Sequence, residues 1–104
     1  MDSGAGEMAR DTVKVLKALR SANKVTIIFE NPFPEAFENG EEFQGKIVVY
    51  ADKGHYSEGH VLDFDDPESL IKTLNKFKKI LSERGFSLKT TESLGHAYRL
   101  VYVK

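Results

Sequence analysis

The sequence predicts an α+β domain: an antiparallel sheet of about five strands with two amphipathic helices on one face, in the order α-β-β-β-α-β-β. Three observations carry this expectation. Apolar residues recur at three- and four-residue spacing in two stretches and alternate with polar ones in the others. Successive alternating stretches are joined by short glycine-bearing links, which favour antiparallel hairpins. Each helical stretch has a single apolar stripe, so one sheet face is enough to bury both.

Residues 7–22 read as the first helix, with Met8, Thr12, Val13, Leu16 and Leu19 on one side and Arg10, Lys14 and Lys17 on the other. Residues 24–30 alternate, Val25, Ile27 and Phe29 against Thr26, Ile28 and Glu30, as a strand does. Asn31, Pro32 and Pro34 end it, because proline cannot donate to a ladder. A long excursion to Gln44 follows. Residues 45–52 and 60–64 then form two strands, joined through Lys53, Gly54 and Gly59 and apolar enough for both to be central. The second helix has the clearest ends in the chain. Asp66 is its N-cap, Pro67 its first residue, Glu68 sits in the electropositive first turn, and Gly85 closes it in the left-handed conformation. Phe86 is expected to fold back on Leu81, with Leu70, Leu74, Phe77 and Leu81 buried and Lys72, Lys76 and Lys79 facing away. Residues 86–91 and 96–104 complete the sheet around a turn of Ser93, Leu94 and Gly95.

The length of 104 residues and 40% hydrophobic content fit one globular domain, residues 7–104, after a disordered start at 1–6. The chain has no cysteine, which excludes disulfides, thiolate metal sites and a cysteine nucleophile, and agrees with a reducing cytoplasm. No apolar run approaches the ~20 residues needed to cross a bilayer. The absence of cysteine and the 30% charged content lean toward a heat-adapted composition.

Charge is segregated although the net value is only -1. Between Phe29 and Glu68 the carboxylates (Glu30, Glu35, Glu38, Glu41, Glu42, Asp52, Glu58, Asp63, Asp65, Asp66, Glu68) face only Lys46 and Lys53. Beyond Glu68 the balance reverses. Such a chain presents fields of opposite sign on different faces, so the isoelectric point says little about partners.

Three features are candidates for function. Arg10, Lys14 and Lys17, and Lys72, Lys76 and Lys79, lie at i, i+4 and i+7 on two helix faces, a spacing suited to phosphate contacts. The loop at 30–44 alternates Phe33, Phe37 and Phe43 with Glu35, Glu38, Glu41 and Glu42. Its rings suit a partner's apolar pockets and its carboxylates a basic rim. Asp52, His55, Glu58 and His60 are oxygen and imidazole donors close enough in sequence to consider a divalent metal, although closed zinc sites favour tighter histidine pairs or thiolates. Tyr98 and Tyr102 share a face of the last strand, with Tyr50 expected to join them on a central one. No serine has a G-x-S-x-G context, and neither a phosphate-binding glycine loop nor a dinucleotide fingerprint is present. No catalytic residue and no cofactor is therefore assigned.

The α-β-β-β-α order of residues 7–84 resembles that of the double-stranded RNA binding domain and of the Alu-binding proteins of the signal recognition particle. The first family has a lysine-rich start to its second helix, where this chain has Asp66, Pro67 and Glu68. The second has a basic loop after its first strand, where this chain has the phenylalanine and glutamate loop. Both departures fall on the contact surface, so the resemblance implies an order of elements and no activity.

The expected role is a small non-enzymatic binding module that meets a nucleic acid or ribonucleoprotein through the helix-borne lysines. The alternatives are a protein-interaction module using loop 30–44, as adaptor or inhibitor, and a metal-dependent enzyme. A homodimer through a sheet edge is the expected assembly, with the terminal strand ending at Lys104 as that edge.

Overall fold

In the computed structural model the described residues are 3–30 and 45–104, with side chains from Thr12 onward in the first helix. The elements are α1 (Ser3–Arg20), β1 (Lys24–Glu30), β2 (Gly45–Asp52), β3 (Ser57–Phe64), α2 (Pro67–Glu83), β4 (Ser87–Ser93) and β5 (Ala97–Val103). This is the α+β order that the sequence predicts. The strands form one antiparallel sheet in the order β3-β2-β1-β5-β4.

Strand order departs from expectation in two places. The C-terminal strand β5 is not an edge; it lies between β1 and β4. Its residues explain this, because Leu100 and Tyr102 alternate with Val101 and Val103, giving it apolar side chains on both faces. Strand β3, by contrast, is an edge and not a central strand. It also begins earlier, at Ser57, so Gly59 belongs to the strand and pairs with Tyr50. The connecting turn is correspondingly short. The Lys53 N–H donates to the Tyr56 carbonyl (2.9 Å), and Gly54 adopts a φ of 93° while its N–H donates to Asp52 Oδ1 (2.9 Å).

The helix ends follow local chemistry. Helix α1 stops at Arg20, two residues short of the expected end, and the Asn23 N–H donates to the Asp52 carbonyl on β2 (2.8 Å). Its buried stripe is also rotated from the one read in the sequence. Val15, Ala18 and Leu19, with Ala22 just past the helix, are essentially fully buried, whereas Val13 is 48% exposed and Leu16 only half-buried. Ala18 on the helix and Ala22 just beyond it add small side chains to the core there.

Helix α2 ends as its sequence requires. Asp66 Oδ1 accepts from the Ser69 N–H (2.8 Å) and Oδ2 from the Ser69 hydroxyl (2.7 Å). At the other end Gly85 takes a φ of 87°, its N–H reaching the Ser82 carbonyl (3.1 Å) and that of Phe86 the Leu81 carbonyl (2.9 Å). These two bonds make a Schellman ending.

Both helices pack mainly on β2 and β3. Phe77, Leu70 and Leu81 from α2 meet Val25 and Ile27 of β1, Ile47 and Val49 of β2 and Leu62 of β3 in one core, all at 1% exposure or less. The helical layer is therefore offset toward one side of the sheet, and every residue of β4 remains exposed.

Phe77→Ala should destabilise the protein by about 3–5 kcal/mol, the range for a buried aromatic truncation, measured by denaturant melts. Asp66→Ala should cost about 1 kcal/mol through loss of the N-cap. Hydrogen bonds from the Ser69 amide and then the Ser69 hydroxyl hold the Asp66 carboxyl below its ordinary value. Its contribution is thus complete above the unfolded carboxylate range. As pH falls below about 4 it is lost progressively, so the gap between wild type and D66A should close there.

Candidate interaction surfaces

The outer side of the helical layer is basic. Lys14, Lys17 and Arg20 on α1 and Lys72, Lys76 and Lys79 on α2 are all exposed, with Lys78 half-buried beside them. No carboxylate occurs from Thr12 to Arg20 or from Ser69 to Ser82. Among the described residues the salt bridges join Lys53 to Glu58, His60 to Glu58 and Arg99 to Glu92, so none engages these helix lysines. Arg10 lies on α1 but ahead of the described side chains. Exposed aromatic rings do not accompany the lysines: Tyr50 and Tyr56, the exposed aromatics among the described residues, lie on β2 and in the β2–β3 turn.

The sheet has a second face that no described helix covers. Directly paired residues of antiparallel strands point to the same side, and register assigns that face row by row. Val61, Val48, Ile28, Arg99 and Glu92 make one row; Gly59, Tyr50, Thr26, Val101 and Thr90 the next. Val61 is 53% exposed and Tyr50 45%, and Ile28, Val48, Val101 and Val103 are half-buried. Such a face is usually polar when it meets water. A Cβ on Gly59 would sit 3.2 Å and 3.3 Å from two ring carbons of Tyr50, so the ring lies across the glycine.

Tyr50 is thus separated from Tyr98 and Tyr102, which point to the helix side with the core, correcting the expectation that it joins them. Burial raises the Tyr102 pKa above its ordinary value, and Tyr98 stacks on Phe29 with centroids 5.4 Å apart. Neither ring is a platform for a ligand.

The β2–β3 turn gathers some of the expected metal donors into another arrangement. Glu58 Oε2 lies 2.7 Å from His60 Nε2 and Glu58 Oε1 3.0 Å from Lys53 Nζ. The hydrogen bond with His60 first, and that with Lys53 second, hold the Glu58 carboxyl below its ordinary value. Asp52 is turned to the Gly54 amide and His55 is exposed. Among the described residues no three histidine or carboxylate groups are placed to share a metal ion. The protein-binding candidates Phe33, Glu35, Phe37, Glu38, Glu41 and Glu42 lie outside the described residues.

No protein-family model, curated protein or solved structure matches the chain. A functional reading therefore rests on these surfaces. No described helix is long and apolar enough to cross a membrane. The uncovered sheet face went unrecognised in the sequence because it depends on which strands are neighbours. Its local signal was that Ile28, Val48 and Val61, on the polar side of the alternation, are themselves β-branched and apolar.

The ring of Tyr50 over Gly59 gives a direct check by nuclear magnetic resonance. The Gly59 α-proton resonances should be ring-current shifted and should return toward ordinary glycine values in Tyr50→Leu, with the remainder of the amide spectrum little changed.

Proposed function

We propose that the protein is a non-enzymatic binding module that meets the phosphate backbone of a nucleic acid, alone or within a ribonucleoprotein, through its helical layer. The supporting observation is the carboxylate-free run on each helix with Lys14, Lys17, Lys72, Lys76 and Lys79 exposed and in no described salt bridge. Lysine ammonium groups on flexible stems act as mobile point charges, so they neutralise phosphates without demanding a particular base. Phosphate neutralisation releases condensed counterions, and that release supplies the affinity.

The same surface argues against reading of single-stranded bases. Stacking recognition needs exposed rings interleaved with the cations. The exposed tyrosines of the described residues are instead on β2 and its turn. Binding by the helices is accordingly sequence-tolerant, with register set by the spacing of lysines along α2. The positive first turn of α2 takes no part, because Asp66 and Glu68 occupy it. This distinguishes the reading from one that places the nucleic acid on a helix N-terminus.

Binding to a duplex of generic sequence, followed by fluorescence anisotropy, should weaken steeply with salt. If all five lysines engage phosphates, the slope of log K against log salt should be about -4 to -5. A Lys72/Lys76/Lys79→Gln variant should reduce that slope by about 3 while retaining the wild-type melting temperature. An unchanged slope in the variant, or no binding by wild type at low salt, would overturn the reading.

A further inference from the structure

We propose that the sheet face that no described element covers is a docking surface for a second copy of this chain, forming a face-to-face dimer about a two-fold axis perpendicular to the strands. The inference goes beyond the proposed function and does not depend on it, since it uses the opposite side of the sheet from the helix lysines.

The pattern of the face points to self-association. Its two middle rows are mainly apolar across β3, β2 and β1, where Val61, Val48, Ile28 and Tyr50 lie, and end toward β4 on the Arg99–Glu92 ion pair and Thr90. Charges close it at both ends along the strands. At one end Asp63 pairs with Lys46, and Glu30 follows one step beyond the Phe29–Ile47 pair. At the other end Lys24 pairs with Asp52. None of Lys24, Glu30, Lys46 and Asp52 is in a salt bridge among the described residues. An apolar centre framed by charges of both signs that lack such bridges is what an interaction surface looks like, and not what a solvated sheet face looks like.

Two simple two-folds can bring such a face against itself, and charge selects one. An axis parallel to the strands and running along β1 would set Glu30 over the Glu30 of the other copy and Lys24 over its Lys24. Like charges would then oppose across the interface. An axis perpendicular to the strands, between the two middle rows, exchanges the ends. Lys46 then faces the other copy's Asp52, and Glu30 faces its Lys24, each pair occurring twice by symmetry. In the middle, Val48 meets Tyr50, Ile28 meets Thr26 and Val61 meets the Tyr50 ring where it lies across Gly59. Packed sheets lie about 10 Å apart, a gap that branched residues fill and that long charged side chains at the ends can span.

The available area is compatible with this. Five strands spaced ~4.8 Å apart and about seven residues long give a flat footprint on the order of 600 Å² per copy, before side-chain relief is counted. A standard interface buries about 800 Å² per partner, so a concentration-dependent dimer is expected, not an obligate one. Pairing through sheet edges is less suitable. The β4 edge is interrupted by a register shift between Leu88 and Thr90, and the β3 edge carries Glu58, His60 and Asp63. In the face-to-face arrangement both helical layers remain outside and accessible.

Sedimentation velocity across a concentration series tests the proposal, with far-UV circular dichroism to verify folding. Wild type should move from monomer to dimer with rising concentration. Val61→Glu, at an exposed position, should shift the dissociation constant upward by about tenfold or more. Glu30→Lys should do the same, because it sets a second cation against the other copy's Lys24. The double variant Glu30→Lys with Lys24→Glu should recover the dimer, since reversed charges again meet across the axis. Residues 24 and 30 sit at opposite ends of β1, so no contact within one chain can produce that rescue. A wild type that stays monomeric throughout, a dimer indifferent to V61E, or a double variant no better than E30K would each overturn the proposal. Should V61E fail to fold, the E30K and E30K/K24E pair still decides the matter.

Discussion

The structure depends on β1 being the middle strand. Val25 and Ile27 are fully buried, and the strand exchanges hydrogen bonds with β2 on one side and β5 on the other. Everything before it and everything after α2 must be brought to it. The chain accordingly closes around the residue just ahead of β1: the Asn23 N–H donates to the Asp52 carbonyl, and the Asn23 carbonyl accepts from the Lys104 N–H. The pairing of β1 with β5 joins segments about seventy residues apart in a chain of 104. A contact of such separation is closed only after a large loss of chain entropy. Its stability must come from side chains on both faces of the strand, which is why β5 carries apolar residues on both while β4 can stay exposed along its length.

The same middle position separates the two proposed interaction surfaces. Alternation along β1 sends Val25 and Ile27 to the helices and Thr26 and Ile28 to the other side. The basic helical back and the apolar sheet front are thus opposite sides of one layered body. Changes to either can be made without passing through the other's contacts. The negative charges are distributed as the layout requires. Asp66 caps α2, Glu58 holds His60 and Lys53, and Glu92 holds Arg99 at 2.6 Å, while no salt bridge among the described residues engages Lys14, Lys17, Lys72, Lys76 or Lys79. A net charge near zero conceals this division.

Much of the fold was legible in local chemistry. Asp66, Pro67, Gly85 and Phe86 mark the ends of α2 because caps and left-handed glycines act over a few residues. Strand β2 likewise has the ends that its alternation indicates. What was not legible depended on distant neighbours. Val13 and Val15 are chemically alike, and only the packing of α1 against the rest of the chain distinguishes the buried Val15 from the exposed Val13. His60 through Phe64 reads as central on hydrophobicity, but an edge strand with one face on the core reads almost the same way. The lysines of α2 were recognisable from helical spacing alone. The uncovered face was not, because Lys24 and Glu30 become a complementary set with Lys46 and Asp52 only once β1 is known to pair with β2. The phenylalanine-bearing loop remains defined by its sequence.

The offset of the helical layer has a mechanical meaning. Strands β3 and β4 form the two outer margins of the sheet, and the chain passes from one to the other through α2. At about 1.5 Å per residue, the 17 residues of α2 reach roughly 25 Å. The four spacings between the outer strands amount to about 19 Å. The helix is therefore long enough to carry the chain from one margin toward the other, and the caps at Asp66 and Gly85 fix where it begins and ends. The passage between the two margins is thus made by an element that itself packs mainly on one side of the sheet.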